Sequence, residues 1–156
     1  MPFHTIIGHR STIASLQKAA ASKRLAHAYL FHGEEAIGKR TTALCFSQAL
    51  LCEDASSEAD LDSCGGCRSC RQVEGRTHPD YFVIEPDPEL ATPQIKIEQI
   101  REIEQHIIYR PLIGDRKICM IDDADRLTIG AANALLVRSE NEPPLPMGTV
   151  VRVLEI

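Results

Sequence analysis

The feature that most restricts the fold of this chain is a glycine-rich loop set between a strand pattern and a helix pattern. Residues 26–31 read AHAYLF, a short apolar and aromatic run that stops at Gly33, and its length suits a buried strand. Residues 33–39 read GEEAIGK, and residues 40–51, RTTALCFSQALL, return to helical periodicity through Leu44, Ala49 and Leu51. Strand, glycine-rich turn and helix in that order are the context in which G-x-x-x-x-G-K surrounds a phosphate with backbone N–H groups and a helix N-terminus. Lys39 then supplies a point charge.

The rest of the chain continues the alternation. Residues 11–25 carry Ile13, Leu16, Ala19 and Ala20 at helical spacing, with Ser11 placed to cap the start. A strand is expected at 81–86, YFVIEP, closed by Pro86 and Pro88. A helix is expected at about 94–109, with Ile100, Ile103 and Ile107 on one face and Pro111 beyond its end. KICMIDDAD at 117–125 reads as a buried strand running into acids, AANALL starts another helix, and TVVRVLEI reads as a last strand. Alternating strands and helices predict an α/β fold, a parallel sheet covered by helices on both faces. Only residues 52–77 break the pattern, being rich in Cys, Gly, Ser and acids, and this stretch has no means of making its own core.

Bulk properties narrow the function. The 156 residues fit one domain able to bury roughly two-thirds of its unfolded surface. With 44% hydrophobic and 25% charged residues the composition is that of a globular chain. A net charge of -5 argues against a whole-surface grip on nucleic acid, so a DNA contact has to be local or belong to a partner. No apolar run approaches the roughly 18 residues that span a bilayer, and the N-terminus lacks the apolar stretch of a signal peptide. The expectation is a cytoplasmic protein without membrane contact, whose six cysteines are reduced and serve metal binding or burial.

The phosphate loop departs from the pattern of an active nucleotide site. The position after the lysine normally offers the Ser or Thr hydroxyl that holds magnesium, and here it is Arg40. Thr41 is one place late, and a one-residue shift on a helix rotates the side chain by about 100°. Asp122, at the end of ICMI, is placed to hold magnesium through water, and Asp123 follows where a longer acid would polarise an attacking water. The nucleotide-site candidates are therefore Gly33, Gly38, Lys39, Thr41, Asp122 and Asp123, and ATP or ADP with magnesium is the doubtful cargo of a loop with two faults.

Cys64-x-x-Cys67-x-x-Cys70, preceded by Cys52, offers four thiolates, with Gly65 and Gly66 letting the backbone curl around an ion. Four sulfurs match structural zinc, with no position left for water. Free surface thiols and an iron–sulfur cluster are the alternatives, the second disfavoured because Arg71 rather than Pro follows Cys70. Cys45 and Cys119 read as core residues, and His78 as a turn or strand-start residue.

Taken together, IIGH, RLAHAYLF, GKRT, the CxxCxxC run, HPDYFVIEP, IKIEQIREI, IDDADR and AANALL resemble the delta-prime subunits of bacterial DNA polymerase III, over about residues 3–136. The resemblance implies a P-loop NTPase fold of the AAA+ class, here residues 1–156, with a zinc module at 52–79 inserted after the phosphate-loop helix. It also implies a place in a pentameric clamp loader that opens the sliding clamp for primed DNA, beside tau/gamma and delta subunits. Gly33, Gly38, Lys39 and Asp122 match the family's nucleotide-loop positions, Cys52, Cys64, Cys67 and Cys70 its zinc ligands, and Ile6 and Ile7 the wall behind adenine. Delta-prime subunits are similar to stators: they lack effective ATPase and offer an arginine finger to a neighbour.

The related tau/gamma motor carries the same zinc module but reads GKT or GKS and DEVH where this sequence has GKR and DDAD. An active motor of that kind is the second reading. A zinc-based nucleic-acid module is the third, with Arg68, Arg71 and Arg76 for it and Glu53, Asp54, Glu58, Asp60 and Asp62 against it. After AANALL the family continues KTLEEPP, whereas this sequence has VRSENEPPLPMGTVVRVLEI. The lid, the collar and the Ser-Arg-Cys finger motif are thus expected to be missing from these residues, and a normal pentamer with them.

Overall fold

The structure, a computed structural model, describes residues 2–22, 25–54, 61–141 and 149–155, with side chains up to residue 135. Four strands, β1 (Ala28–Phe31), β2 (Tyr81–Ile84), β3 (Arg116–Ile121) and β4 (Thr149–Glu155), form one sheet in the order β1-β4-β3-β2. Every pairing is parallel. Parallel neighbours need crossover connections, and these are supplied by α2 (Lys39–Leu51), α4 (Ile97–Ile107) and α5 (Ile129–Asn141). The expected parallel α/β sheet is therefore observed. Two further α-helices, α1 (Arg10–Ala21) and α3 (Arg68–Glu74), and two 3-10 turns at Phe3–Thr5 and Ala124–Arg126 complete the set among the described residues.

Strand β3 divides the core. Its alternate residues Ile118 and Met120 face α1 and α2 with Phe46, Leu16 and Ala43, whereas Cys119 and Ile121 face α4 and α5 with Ile100, Ile107 and Ala131. Five of its six residues are buried, as a strand packed on both faces requires. Phe46, without exposed surface, is met edge-on by Tyr29 of β1 at 5.0 Å between centroids and lies 6.4 Å from Phe3. Cys45 and Cys119 sit in this core as expected, and burial pushes the Cys45 thiol up to about 11.

Two expectations need correction. Helix α1 starts one residue before Ser11 and ends at Ala21, because His9, at φ 50° after Gly8 at φ 90°, turns the chain into the helix. Ser11 instead gives its carbonyl to the Ser15 hydroxyl. The stretch at 52–77 is not wholly irregular: it contains α3, which Cys67 caps by accepting from the Cys70 N–H. Its large apolar side chains, Leu61 and the Val73 of α3, are lent to the main core, and the buried Gln48 amide of α2 donates to the Cys70 carbonyl at 3.0 Å. Glu58 and Asp60, counted against nucleic-acid binding, lie outside the described residues, as do residues 142–148 of the departing tail.

Because the strands run the same way, the residues that follow β1, β2 and β3 leave the sheet at one edge, where α/β folds place ligands. His32 with Gly33, Glu85 and Asp122 are those residues. The Asp122 N–H donates to the Ile84 carbonyl at 2.9 Å, continuing the ladder and setting Asp122 beside Glu85.

Candidate functional site

The phosphate loop runs from the end of β1 to the first turn of α2. Its reversal uses Ala36 at φ 60° and Gly38 at φ 95°, a left-handed backbone that costs glycine nothing and strains a residue with a Cβ. Gly38 starts α2, and the Thr42 N–H and hydroxyl both return to the Gly38 carbonyl, at 3.0 and 2.9 Å. Lys39 folds its ammonium onto the loop, donating to the Gly33 and Glu34 carbonyls at 3.0 and 3.1 Å. A cavity of about 220 Å³ lies against Ile37, Gly38, Lys39, Thr42 and the β1 residues Tyr29 and Phe31. Ile6 packs against the core while Ile7 is almost fully exposed, so the two isoleucines placed behind a base by resemblance face different surroundings.

Across the sheet edge, a cavity of about 940 Å³ is lined by Arg40, Glu85, Gln99, Asp122, Asp123 and Arg126 among others. Gly38 and Lys39 line one cavity, Asp122 and Asp123 the other, and Thr41 neither. The residue joining the two regions is Arg40. Its guanidinium donates to Asp122 Oδ2 at 2.9 Å and to Glu85 Oε1 at 2.5 Å. Glu85 also takes a two-pronged contact from Arg76, at 2.7 and 2.8 Å, and its carboxyl lies below the usual carboxylate range, chiefly through that hydrogen bond. Reciprocally, Glu85 raises Arg76 above the ordinary arginine range. Alternating charges therefore run Arg76, Glu85, Arg40, Asp122. Asp123, at φ 50°, directs its carboxylate to Arg126 at 3.7 Å and is more than half exposed.

Magnesium does not fit this arrangement. The hydroxyl that would bind it is replaced by a guanidinium, and that guanidinium already lies on the aspartate that would hold it. Sequence reasoning identified the missing hydroxyl and not the ion pair, since Glu85 is 45 residues from Arg40 and no motif contains it.

The four cysteines converge. Cys52, Cys64, Cys67 and Cys70 place their sulfurs within 4.8 Å of one another, with separations of 3.6 Å for Cys52 to Cys64, 3.9 Å for Cys52 to Cys67 and 4.0 Å for Cys64 to Cys70. A tetrahedron with metal–sulfur bonds of about 2.3 Å has edges of about 3.8 Å, so the donor set fits zinc. A disulfide, at about 2.05 Å, is far shorter than any of these separations. Backbone N–H groups of Cys64, Cys67 and Cys70 point at the sulfurs of Cys52, Cys64 and Cys67 at 3.2–3.5 Å, as they would to stabilise thiolates. At Cys64 the burial penalty is the largest single effect, but the Gly66 and Cys67 N–H groups and the Cys52 and Cys67 thiols together outweigh it, and its pKa falls to about 7. Cys70, buried, is pushed up, foremost by desolvation and then by the Cys67 and Cys52 thiols.

A buried relay ties this module to the sheet, and sequence reasoning passed over it. His78, 3% exposed, has Nε2 3.2 Å from the Ser69 hydroxyl, and its Nδ1 accepts the Asp80 N–H at 3.1 Å. The Ser69 hydroxyl donates to Glu53 at 2.6 Å, so its oxygen is free to accept from the histidine. That pattern fits only neutral imidazole with the proton on Nε2. Burial accordingly lowers the His78 pKa, although Asp80 and Glu53 pull it upward. Asp80, fully buried, accepts from the Leu112 and Ile113 N–H groups at 2.7–2.9 Å and pins the loop before β3. The signal available in sequence was the His-Pro-Asp triplet before a strand, which fixes no partner by itself.

Two of the three arginines offered for nucleic acid are engaged internally: Arg76 with Glu85, and Arg71 with the Gly66 carbonyl at 2.8 Å. Among the described residues, no helix is long and apolar enough to cross a membrane.

A family model described as DNA polymerase III, delta subunit, matches residues 8–151. The chain is 38% identical over 118 residues to the delta' subunit of Pseudomonas aeruginosa DNA polymerase III, covering 76% of this chain and 34% of that protein. It is 33% identical over 121 residues to the Bacillus subtilis delta' subunit, covering 78% and 34%. To the tau/gamma subunit of Haemophilus influenzae it is 32% identical over 142 residues, covering 91% and 19%. The chain thus spans about a third or less of the length of these relatives. Among solved structures, a gamma-subunit-related protein of DNA polymerase III from Thermotoga maritima superposes with a TM-score of 0.60 over 92% of this chain and 38% of that one. At 24% identity this is a likeness of fold.

Proposed function

The chain belongs to the DNA polymerase III delta-subunit family, and we propose that it is the AAA+ part of a bacterial clamp-loader subunit that carries structural zinc and does not turn over ATP. In this reading it works in the cytoplasm as a stator, placed beside tau/gamma and delta subunits while the complex opens the sliding clamp on primed DNA. The observation that carries it is the Arg40 to Asp122 ion pair: the carboxylate on which metal-assisted hydrolysis depends is already neutralised by the chain's own cation.

The other residues have consistent parts. Gly33, Gly38 and Lys39 form a cradle for phosphate in which helix N-terminal N–H groups and the ammonium do the binding. Thr41 and Asp123 contribute nothing to a metal there. Cys52, Cys64, Cys67 and Cys70 hold zinc, which with four protein ligands supplies cohesion to a segment that lacks a core of its own.

A tau/gamma-type motor has the match to tau/gamma relatives in its favour, but it requires a metal at Asp122. Steady-state hydrolysis by the purified chain separates the two. No magnesium-dependent turnover is expected; turnover that Lys39→Ala abolishes would establish the motor. Pairwise association with a tau/gamma subunit, followed by interferometry, tests the assembly half of the reading, and its absence counts against a clamp-loader role.

A further inference from the structure

The ion ladder does more than record a lost hydroxyl. A divalent ion at such a site has two duties: to neutralise the aspartate and to present positive charge to the phosphates. Arg40 performs the first with one terminal nitrogen on Asp122, and it is not a mobile surface arginine happening to point that way. Its second terminal nitrogen is on Glu85 Oε1, both terminal nitrogens of Arg76 grip the same carboxylate, one on Oε2 and one on the shared Oε1, and the Glu85 carbonyl accepts from the Gln99 amide at 2.9 Å. Arg76 stands just beyond α3, in a left-handed conformation at φ 55°, with its N–H returned to Val73. Three separate elements thus converge to hold one guanidinium over one aspartate. A guanidinium has five N–H groups in a plane, so the two contacts made here leave donors for an incoming phosphate oxygen.

We infer that Arg40 is a resident replacement for the divalent cation, that Glu85 and Arg76 are the positioning residues that keep it on Asp122, and that the phosphate loop takes a nucleoside di- or triphosphate without metal. The ligand part rests on the reading of the loop under Proposed function. A metal entering at Asp122 has to displace a cation held by two carboxylates, and both charges cannot sit there together.

The test compares the full chain with Arg40→Thr, which restores a hydroxyl at that helical position, and with Arg40→Lys, which keeps a cation. ADP binding is measured by calorimetry in EDTA and in magnesium, and bound manganese by electron paramagnetic resonance with and without ADP. Zinc content and melting temperature are recorded for every chain. The parent and Arg40→Lys are expected to bind ADP equally in both conditions and to gain no manganese, whereas Arg40→Thr binds one manganese with ADP and gains about tenfold in affinity from magnesium. Tightening of the parent by magnesium of that size, or a manganese bound with ADP by the parent, overturns the inference. If no chain binds ADP, the nucleotide reading falls, and manganese alone decides the cation question: uptake by Arg40→Thr that the parent lacks supports the replacement, and equal uptake overturns it. Glu85→Gln loosens one hand of Arg40 and is expected to respond to magnesium between parent and Arg40→Thr; a response identical to the parent's removes Glu85 and Arg76 from the proposal.

Discussion

Replacing His78 with alanine tests the buried relay that ties the cysteine module to the sheet. Ser69 keeps its bond to Glu53, but the Asp80 N–H, on a residue with no exposed surface, loses its acceptor. An orphaned buried donor costs about 1–3 kcal/mol, and removal of a ring only 3% exposed adds a packing loss, for a total of about 2–4 kcal/mol. At this chain length each kcal/mol moves the melting temperature by about 2–4 °C, so a fall of about 5–15 °C is expected. Asparagine at the same place can accept the N–H two residues on through its side-chain oxygen, and His78→Asn should recover about half of the loss. Acid gives a second signature. Burial depresses the folded pKa of His78 below the unfolded value of about 6.5, so its contribution is fully present above that pH and is lost as pH falls toward the folded pKa. Circular dichroism melts of zinc-loaded parent and His78→Asn should therefore converge as pH drops below about 6.5, because the variant lacks this acid limb. Metal loss in acid is common to both and cancels in the difference. A parent and variant that melt together at neutral pH, or that keep a constant gap through the acid range, would refute the relay.

Two further tests address the module and the loop it steadies. Native mass spectrometry should find one zinc per chain; after chelation, Cys64, with its pKa near 7, is expected to alkylate first, and well ahead of the buried Cys45, pushed up to about 11. Reaction of Cys45 ahead of Cys64 would contradict the assigned environments. Asp80→Ala should cost about 2–4 kcal/mol and expose the Leu112 and Ile113 amides to hydrogen exchange, whereas unchanged protection of both would mean that the carboxylate does not hold the loop.

The sheet was legible in the sequence because each strand is a short apolar run bounded by Gly, Pro or acids, and a strand buried on both faces needs no alternation to declare itself. Ends were less legible. Helix α1 begins through a left-handed His9, a conformation for which a histidine gives no composition signal, so Ser11 looked like the better cap. Helix α3 was hidden because seven residues with one large apolar side chain carry no period; its reasons for existing are the Cys67 cap and the Val73 contact, both tertiary. The convergence of the four cysteines was readable at once, since C-x-x-C geometry is local. His78, Asp80 and Glu85 were not, because their partners lie on other elements and burial, not spacing, gives them their roles.

Arg40 unites the legible and the illegible parts, and its effect on stability separates two accounts of it. Its side chain is 48% exposed and that of Glu85 36%, with Asp122 the buried member at 10%. The Arg40–Glu85 pair at such exposure contributes about 0–1 kcal/mol and Glu85 keeps Arg76 when Arg40 is removed, while the buried Asp122 loses its cation, which magnesium in the melt buffer replaces in the Arg40→Thr chain. Arg40→Thr is therefore expected to melt within about 4 °C of the parent. Were the arginine a brace for the sheet edge, three elements would loosen with it, and a loss of 10 °C or more would be recorded by the same melts, on the order of 3 kcal/mol. A small thermal change joined to a new metal dependence places the whole consequence of the substitution at Asp122. A large thermal change with no new metal dependence would make the ladder a structural strut and remove the reason for calling its cation a substitute.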